Sequence, residues 1–264
     1  MSAPARMSFN QMTADGLSLA EAAALCADAG IGWFGPWRHK VAEVGAAEAR
    51  RILDGHGLRV SSLCRGGFFL AADEAEDNRR AVEEAAALGT DVLVLVCGPP
   101  VGRDVEAARA QILAGIERLV PHAEEHGVRL AIEPLHPMMI SERSAIVTLG
   151  EANDLAERFD APRVGVIVDA YHVWWDPRLY EEIARAGRRI LGYHVADWLV
   201  PTTDRLQGRG MMGEGVIELK RIRAAVEAAG YAGPIEVEVI NREAWRRPGA
   251  ELVEAARDAF AAAA

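Results

Sequence analysis

The run Val92-Leu93-Val94-Leu95-Val96 is apolar at every position. Side chains of a strand point to opposite faces in turn, so a half-exposed strand alternates apolar with polar. Five β-preferring apolar residues in succession describe instead a strand covered on both faces, as in parallel α/β sheets. On either side of this run the period changes to that of an amphipathic helix. One helix is expected over residues 77–88, stopped by Gly89, and another over 104–126, stopped by Gly127. The rhythm continues in both directions. Further strands are expected at 6–11, 31–34, 59–63 and 235–240, and three more end at Glu133, at Asp169 and near Ala196. Helices are expected over 18–29, 43–56, 149–159, 177–186, 217–229 and 248–263. Strands that alternate with helices imply a parallel α/β fold, and eight such units favour a closed barrel. An open sheet would want a Gly-rich phosphate turn after its first strand, and Asn10-Gln11-Met12-Thr13 does not supply one. The expected fold is a single (β/α)8 barrel, the TIM-barrel architecture, as one domain over residues 1–264.

The chain has 264 residues, half of them apolar, which suits one barrel of typically about 250 residues. Its net charge of −10 repels phosphate backbones, so nucleic acid is not an expected partner. Cys26, Cys64 and Cys97 form no C-x-x-C pair and fit buried thiols in a reducing cytoplasm. No apolar run reaches the roughly 18 residues that span a bilayer, and Met1-Ser2-Ala3-Pro4-Ala5-Arg6 lacks the apolar segment of a secretory signal. The expectation is a soluble cytoplasmic protein with no membrane partner.

Chemistry gathers at the ends of the last four strands. Glu133, Asp169, His194 and Glu238 each close a short apolar run. In a barrel those ends converge on one mouth, where a buried charge needs a partner. Three carboxylates and one imidazole suit Mn²⁺, Mg²⁺, Co²⁺ or Fe²⁺ better than a thiolate site suits them. Each residue also has a plainer reading: Glu133 as an ion-pair partner, Asp169 as a helix N-cap, His194 as a core histidine. Their common position on four successive strands favours the metal. Glu236 shares a face with Glu238 but lies deeper, as a supporting partner. His172 follows Asp169 by three residues and is able to point into the same mouth. The stretch Gly208-Arg209-Gly210-Met211-Met212-Gly213-Glu214-Gly215 reads as an active-site loop with positive-φ turns. Trp33, Trp37, Trp174, Trp175 and Trp198 are expected at or just beyond strand ends, as faces for a sugar ring or as packing under loops. Arg65, following the third strand, is a candidate for a polar or anionic substrate end, or a surface residue.

Together Glu133-Pro134-Leu135, Asp169-x-x-His172, His194-x-x-Asp197, Arg209-Gly210-x-x-Gly213-x-Gly215 and Val237-Glu238-Val239 resemble the sugar phosphate isomerase/epimerase family of xylose isomerase-like barrels. The resemblance spans nearly the whole chain and is specific for the superfamily, not for a substrate. It implies a divalent metal, usually Mn²⁺, on Glu133, Asp169, His194 and Glu238. It implies a sugar-like substrate whose α-proton leaves to give an enediolate, with Glu133 and Glu238 as acid/base residues. His172 and Arg209 match positions that hold substrate oxygens, and Asp197, Trp175 and Trp198 are further candidates for substrate contact. One departure matters. Ketohexose epimerases tend to carry Glu-x-Leu-Asn-Arg-x-Glu, whereas this chain has Glu133-Pro134-Leu135-His136-Pro137-Met138-Met139. His136 thereby becomes a candidate general base, or a support for Glu133.

The leading expectation is a metal-dependent isomerase or epimerase of a keto sugar, inosose or related polyol. The alternative is a lyase that deglycosylates 3-oxo-glycosides, including C-glycosides, by β-elimination, favoured by His136, Met139 and the tryptophans. Such lyases can require a small partner subunit, and family members are often homo-oligomers. A DNA-acting barrel would need more metal ligands and a basic groove, against which the charge of −10 argues.

Overall fold

A computed structural model describes residues 3–102, 104–161 and 163–263; the expected domain of 1–264 also takes in Met1, Ser2, Arg103, Pro162 and Ala264, which lie outside the described residues. The strands are β1 Met7–Asn10, β2 Trp33–Gly35, β3 Arg59–Val60, β4 Leu63–Gly67, β5 Val92–Val96, β6 Arg129–Ile132, β7 Val164–Asp169, β8 Ile190–Val195, the short pair β9 Asp197–Trp198 and β10 Arg209–Gly210, and β11 Ile235–Val237. The helices are α1 Leu19–Asp28, α2 Arg38–Val44, α3 Ala46–Gly55, α4 Glu74–Leu88, α5 Val105–Glu125, α6 Leu149–Ala156, α7 Ala170–Val173, α8 Leu179–Ala186, α9 Leu219–Ala228 and α10 Gly249–Ala263.

Among the described residues nine parallel strands form one sheet in the order β3-β2-β1-β11-β8-β7-β6-β5-β4. The two edge strands β3 and β4 are successive pieces of one strand, interrupted at Ser61-Ser62. The first piece pairs with β2, the second with β5, and a parallel bridge between Trp37 and Cys64 joins the edges. The sheet is therefore a nearly closed barrel with the expected eight positions. No helix among the described residues is long and apolar enough to cross a membrane.

Register decides what the barrel encloses. Asp169 pairs with His194, His194 with Glu236, and Glu236 with Ser8. Two residues further on, the same inward parity carries Glu238 and Asn10. On β6 and β7, Ala131 and Ile167 belong to the small apolar cluster of Cys64, Val92, Val94 and Leu191, so their inward successors are Glu133 and Asp169. The barrel floor is apolar and its top layer ionisable. The opposite strand faces, such as Phe9, Leu93, Leu130 and Val168, join the larger core beneath the helices.

Three local expectations change. The helix expected over 43–56 is two helices, because Gly45 sits at φ 86 and ψ 150, a conformation strained for residues with a Cβ. The short helix α7 follows β7 directly, capped by Asp169. In the Gly-rich loop only Gly213 has positive φ. Gly208, Gly210 and Gly215 are small for another reason: a Cβ there would collide with Asp204, Leu199 and Asp197 respectively.

Candidate metal centre

Glu133, Asp169, His194 and Glu238 stand together at the C-terminal mouth. They offer one ligand atom each within 4.8 Å of one another, and all four are buried. Glu133 Oε1 lies 3.3 Å from His194 Nδ1. That oxygen and both ring nitrogens of His194 have no hydrogen-bond partner. Buried polar atoms are almost always paired. Unpaired donor atoms facing one another at this spacing fit a divalent cation, and the oxygen-rich set fits a hard or borderline one. The plain reading of Asp169 holds as well. Its Oδ1 accepts from Tyr171 N at 2.8 Å as the cap of α7, which leaves Oδ2 turned to the site.

Charge is crowded here. Burial, aided by the charge of Glu133 and resisted by Arg209, pushes Glu238 up to about 8. Burial likewise raises Glu133, against the pull of His194. For His194 burial opposes protonation, but Glu236, Glu133 and Glu238 raise it to about 10, so a cation entering the site competes with protons. Arg209 supplies the balancing charge. It is 2 % exposed, and its Nη1 donates to Glu238 Oε2 at 2.7 Å and to Asp169 Oδ2 at 3.3 Å. The guanidinium also lies 4.4 Å from the centre of the Tyr171 ring. This is no solvated loop charge. The antiparallel pair β9–β10 swings it over the mouth.

His172 lines the same cavity and is buried; that burial holds its imidazole down to about 3, so the ring is neutral. The backbone N–H of His136 donates toward Nδ1 at 3.3 Å, and Nε2 faces Arg209 Nη2 at 3.2 Å and Asp169 Oδ2 at 3.6 Å.

The last strand is held by a residue with no place in the sequence expectations. Asn10 Nδ2 donates to Glu236 Oε1 at 2.6 Å and to Glu238 Oε1 at 3.2 Å. Its Oδ1 accepts from Met12 N and from Trp37 Nε1, both at 2.9 Å. Glu236 also accepts from Ser61 and Ser62, which makes it the supporting carboxylate expected. Gly35 is small because a Cβ would meet the Glu236 carboxylate. The signal for Asn10 was in the sequence: it closes Met7-Ser8-Phe9-Asn10 as the ligands close their strands.

The cavity above the carboxylates measures about 580 Å3, part of it open to solvent. Glu133, Glu238, His172, Arg209 and Arg65 line it, and so do Trp37 and Arg143. Other expected site residues lie elsewhere. The His136 ring is not among those lining the cavity; it stacks on Trp198 at 4.8 Å, meets Trp175 edge-on at 5.7 Å, and accepts at Nδ1 from Met138 N as a turn cap. Asp197 accepts from the backbone N–H groups of Trp198, Gly213 and Ile217, so its carboxylate ties down the Gly-rich loop. Trp198 packs against Tyr171 and Trp174, and Trp175 Nε1 donates to His172 O; both brace the cavity wall from behind. Trp33 opens β2 and lines a pocket with Arg129 and Tyr231 at the opposite end of the barrel. A second cluster, Glu83, His122 and His126, lies on the outer helices and is mostly exposed.

Comparison with known proteins agrees with this architecture. A crystal structure of protein SMc04130 from Sinorhizobium meliloti superimposes with a TM-score of 0.93 at 47 % identity, covering 97 % of both chains. A 3-dehydroshikimate dehydratase of Pseudomonas aeruginosa is 32 % identical over 161 residues, which is 58 % of this chain; the aligned stretch spans about a quarter of that enzyme's length (24 %). The L-ribulose-5-phosphate 3-epimerase UlaE of Salmonella paratyphi A is 27 % identical over 218 residues, 75 % of this chain and 70 % of the epimerase. The model of the xylose isomerase-like TIM barrel family matches residues 23–262, nearly the whole chain, and the chain belongs to that family.

Proposed function

We propose that the chain is a divalent-metal-dependent enzyme that removes the proton α to the carbonyl of a hydroxyketone, acting as an isomerase or epimerase on a keto sugar, inosose or related polyol. The observation that carries this reading is the buried set Glu133, Asp169, His194 and Glu238, with unpaired ligand atoms on Glu133 and His194. Those four residues would hold the ion, Mn²⁺ by preference, which when bound supplies Lewis-acid polarisation of the carbonyl. The chain's own groups do the rest. Glu133 and Glu238 line the cavity and burial raises the proton affinity of both, Glu238 to about 8, which suits them to take or return a proton. Neutral His172 lines the cavity beside Arg209, where its imidazole is placed to meet a substrate oxygen. Arg209 holds Glu238 in place and adds positive charge where negative charge develops. The epimerase relative supports the same class of proton transfer.

A second reading is favoured by the cavity wall. Leu135, Met139 and Leu206 are apolar where a polyol would want hydrogen-bond partners. β-Elimination needs the same α-proton abstraction plus a leaving group on the β carbon, either water or an aglycone, as in the lyase alternative. The dehydratase relative supports it.

Incubation of Mn²⁺-loaded protein in D₂O with keto sugars, inososes, 3-oxo-glycosides and cyclic hydroxyketo acids, followed by NMR, tests both. Deuterium at the α carbon without loss of a group supports the isomerase or epimerase, and release of water or aglycone supports elimination. Glu238→Gln is expected to slow exchange about 10²–10⁴-fold with the fold intact. A folded variant with full activity sinks the reading.

A further inference from the structure

We propose that Arg65 and Arg143 form an anion-binding subsite at the outer end of the cavity, and that the substrate is a compact hydroxyketone bearing one carboxylate. The proposal rests on the proton-abstraction reading for the reacting end and on these two arginines for the anion. Both line the same cavity as Glu133, Glu238 and His172. They reach it from different elements: Arg65 from β4, and Arg143 from the loop between β6 and α6, where its backbone N–H is held by Met139 O at 2.9 Å.

Neither guanidinium has an acidic partner or a side-chain hydrogen bond among the described residues. Arg209 already balances the carboxylates at the cavity floor. Arg38, beside Arg65, is taken up by Asp77 and Glu84. The chain carries more acids than bases, 39 against 29, so two partly buried arginines left without a carboxylate are not a shortage of partners. Burial lowers the proton affinity of Arg65, and the like charges of Arg143 and Arg38 lower it further, against a smaller opposing pull from Asp77.

A second observation is independent of charge. Phe68 has φ 51, a left-handed conformation uncommon for an aromatic residue, and its ring lies 4.0 Å from the Arg65 guanidinium. Backbone conformations of this kind gather at ligand sites. Here it supports the flat face of Arg65 and leaves the N–H edge free. Two forks satisfy the oxygens of one carboxylate. The adjoining Val96, Leu135 and Met139 add no donors for a phosphate dianion and suit the carbon frame of a small ring.

The test is a calorimetric titration of the purified chain, with and without Mn²⁺, using cyclohexanecarboxylate, its methyl ester and inorganic phosphate. The acid is expected to bind at least tenfold more tightly than the ester. Arg65→Gln and Arg143→Gln are each expected to weaken the acid at least tenfold and leave the ester unchanged, with Arg143→Lys in between; circular dichroism checks their fold. Equal binding of acid and ester, or no effect of either glutamine variant, overturns the proposal. Phosphate binding more tightly than the acid overturns the choice of carboxylate. These titrations need no turnover. Failure of α-proton exchange on every hydroxyketone would sink the proposed reaction and leave the subsite standing. Exchange on neutral keto sugars without carboxylate binding would do the reverse.

Discussion

The Asn10 side chain touches both glutamates of β11, donating to Glu236 and Glu238 while Met12 N and Trp37 Nε1 fix its own oxygen. It therefore orients a ligand without being one, and partners of that kind typically change metal affinity by about 10–100-fold when removed. Asn10→Ala is expected to weaken Mn²⁺ binding by that amount in a calorimetric titration. Unchanged affinity would mean that Arg209 alone positions Glu238. His136 is the opposite case. It is a candidate general base because it stands where ketohexose epimerases tend to carry Asn, and its ring stacks on Trp198. His136→Phe keeps that stacking, so α-proton exchange should stay within about threefold of the parent, where loss of a general base would cost about 10²–10⁴-fold.

At the scale of elements, helix propensity in residues 43–56 reads as continuous, and one backbone conformation divides it. Gly45 has φ 86 and ψ 150, with nothing within 4 Å of where a Cβ would stand. Gly45→Ala therefore meets no clash and isolates the backbone term, expected to be about 2 kcal/mol of destabilisation. Gly32, equally uncrowded but not at positive φ, is the control, and Gly32→Ala should change stability by less than about 1 kcal/mol. Urea denaturation of both variants measures the difference. Equal effects would show that the break between α2 and α3 is not enforced at Gly45. The Gly-rich loop teaches the complementary lesson. Its pattern was legible as a motif, but most of its glycines serve close approach to Asp197, Leu199 and Asp204, which no local rule reveals.

Across the whole molecule, the candidate ligands come from β6, β7, β8 and β11 and their immediate ends, so an ion there bridges half of the barrel. The site exists only in the folded chain. An ion at 100 times its dissociation constant is expected to add about 2.7 kcal/mol, raising the melting temperature by about 5–10 °C. Scanning calorimetry with Mn²⁺ and with chelator measures this. The outer cluster of Glu83, His122 and His126 is the competing site. The shift should persist in His126→Gln and vanish in Asp169→Asn; the reverse pattern would place the stabilising ion on the outer helices.

The sequence by itself determined the alternation of strand and helix, hence the barrel, and it marked Glu133, Asp169, His194 and Glu238, because each interrupts an apolar run where a lone charge is costly. These are local signals, carried by period and by charge within one element. Only the tertiary structure decided which further side chains share the mouth. Asn10 and Glu238 lie 228 positions apart, and Arg65 and Arg143 sit on different elements. Register and the barrel's near-closure bring them together, whereas Asp197 and His136, near the ligands in sequence, are turned elsewhere by backbone hydrogen bonds and ring packing.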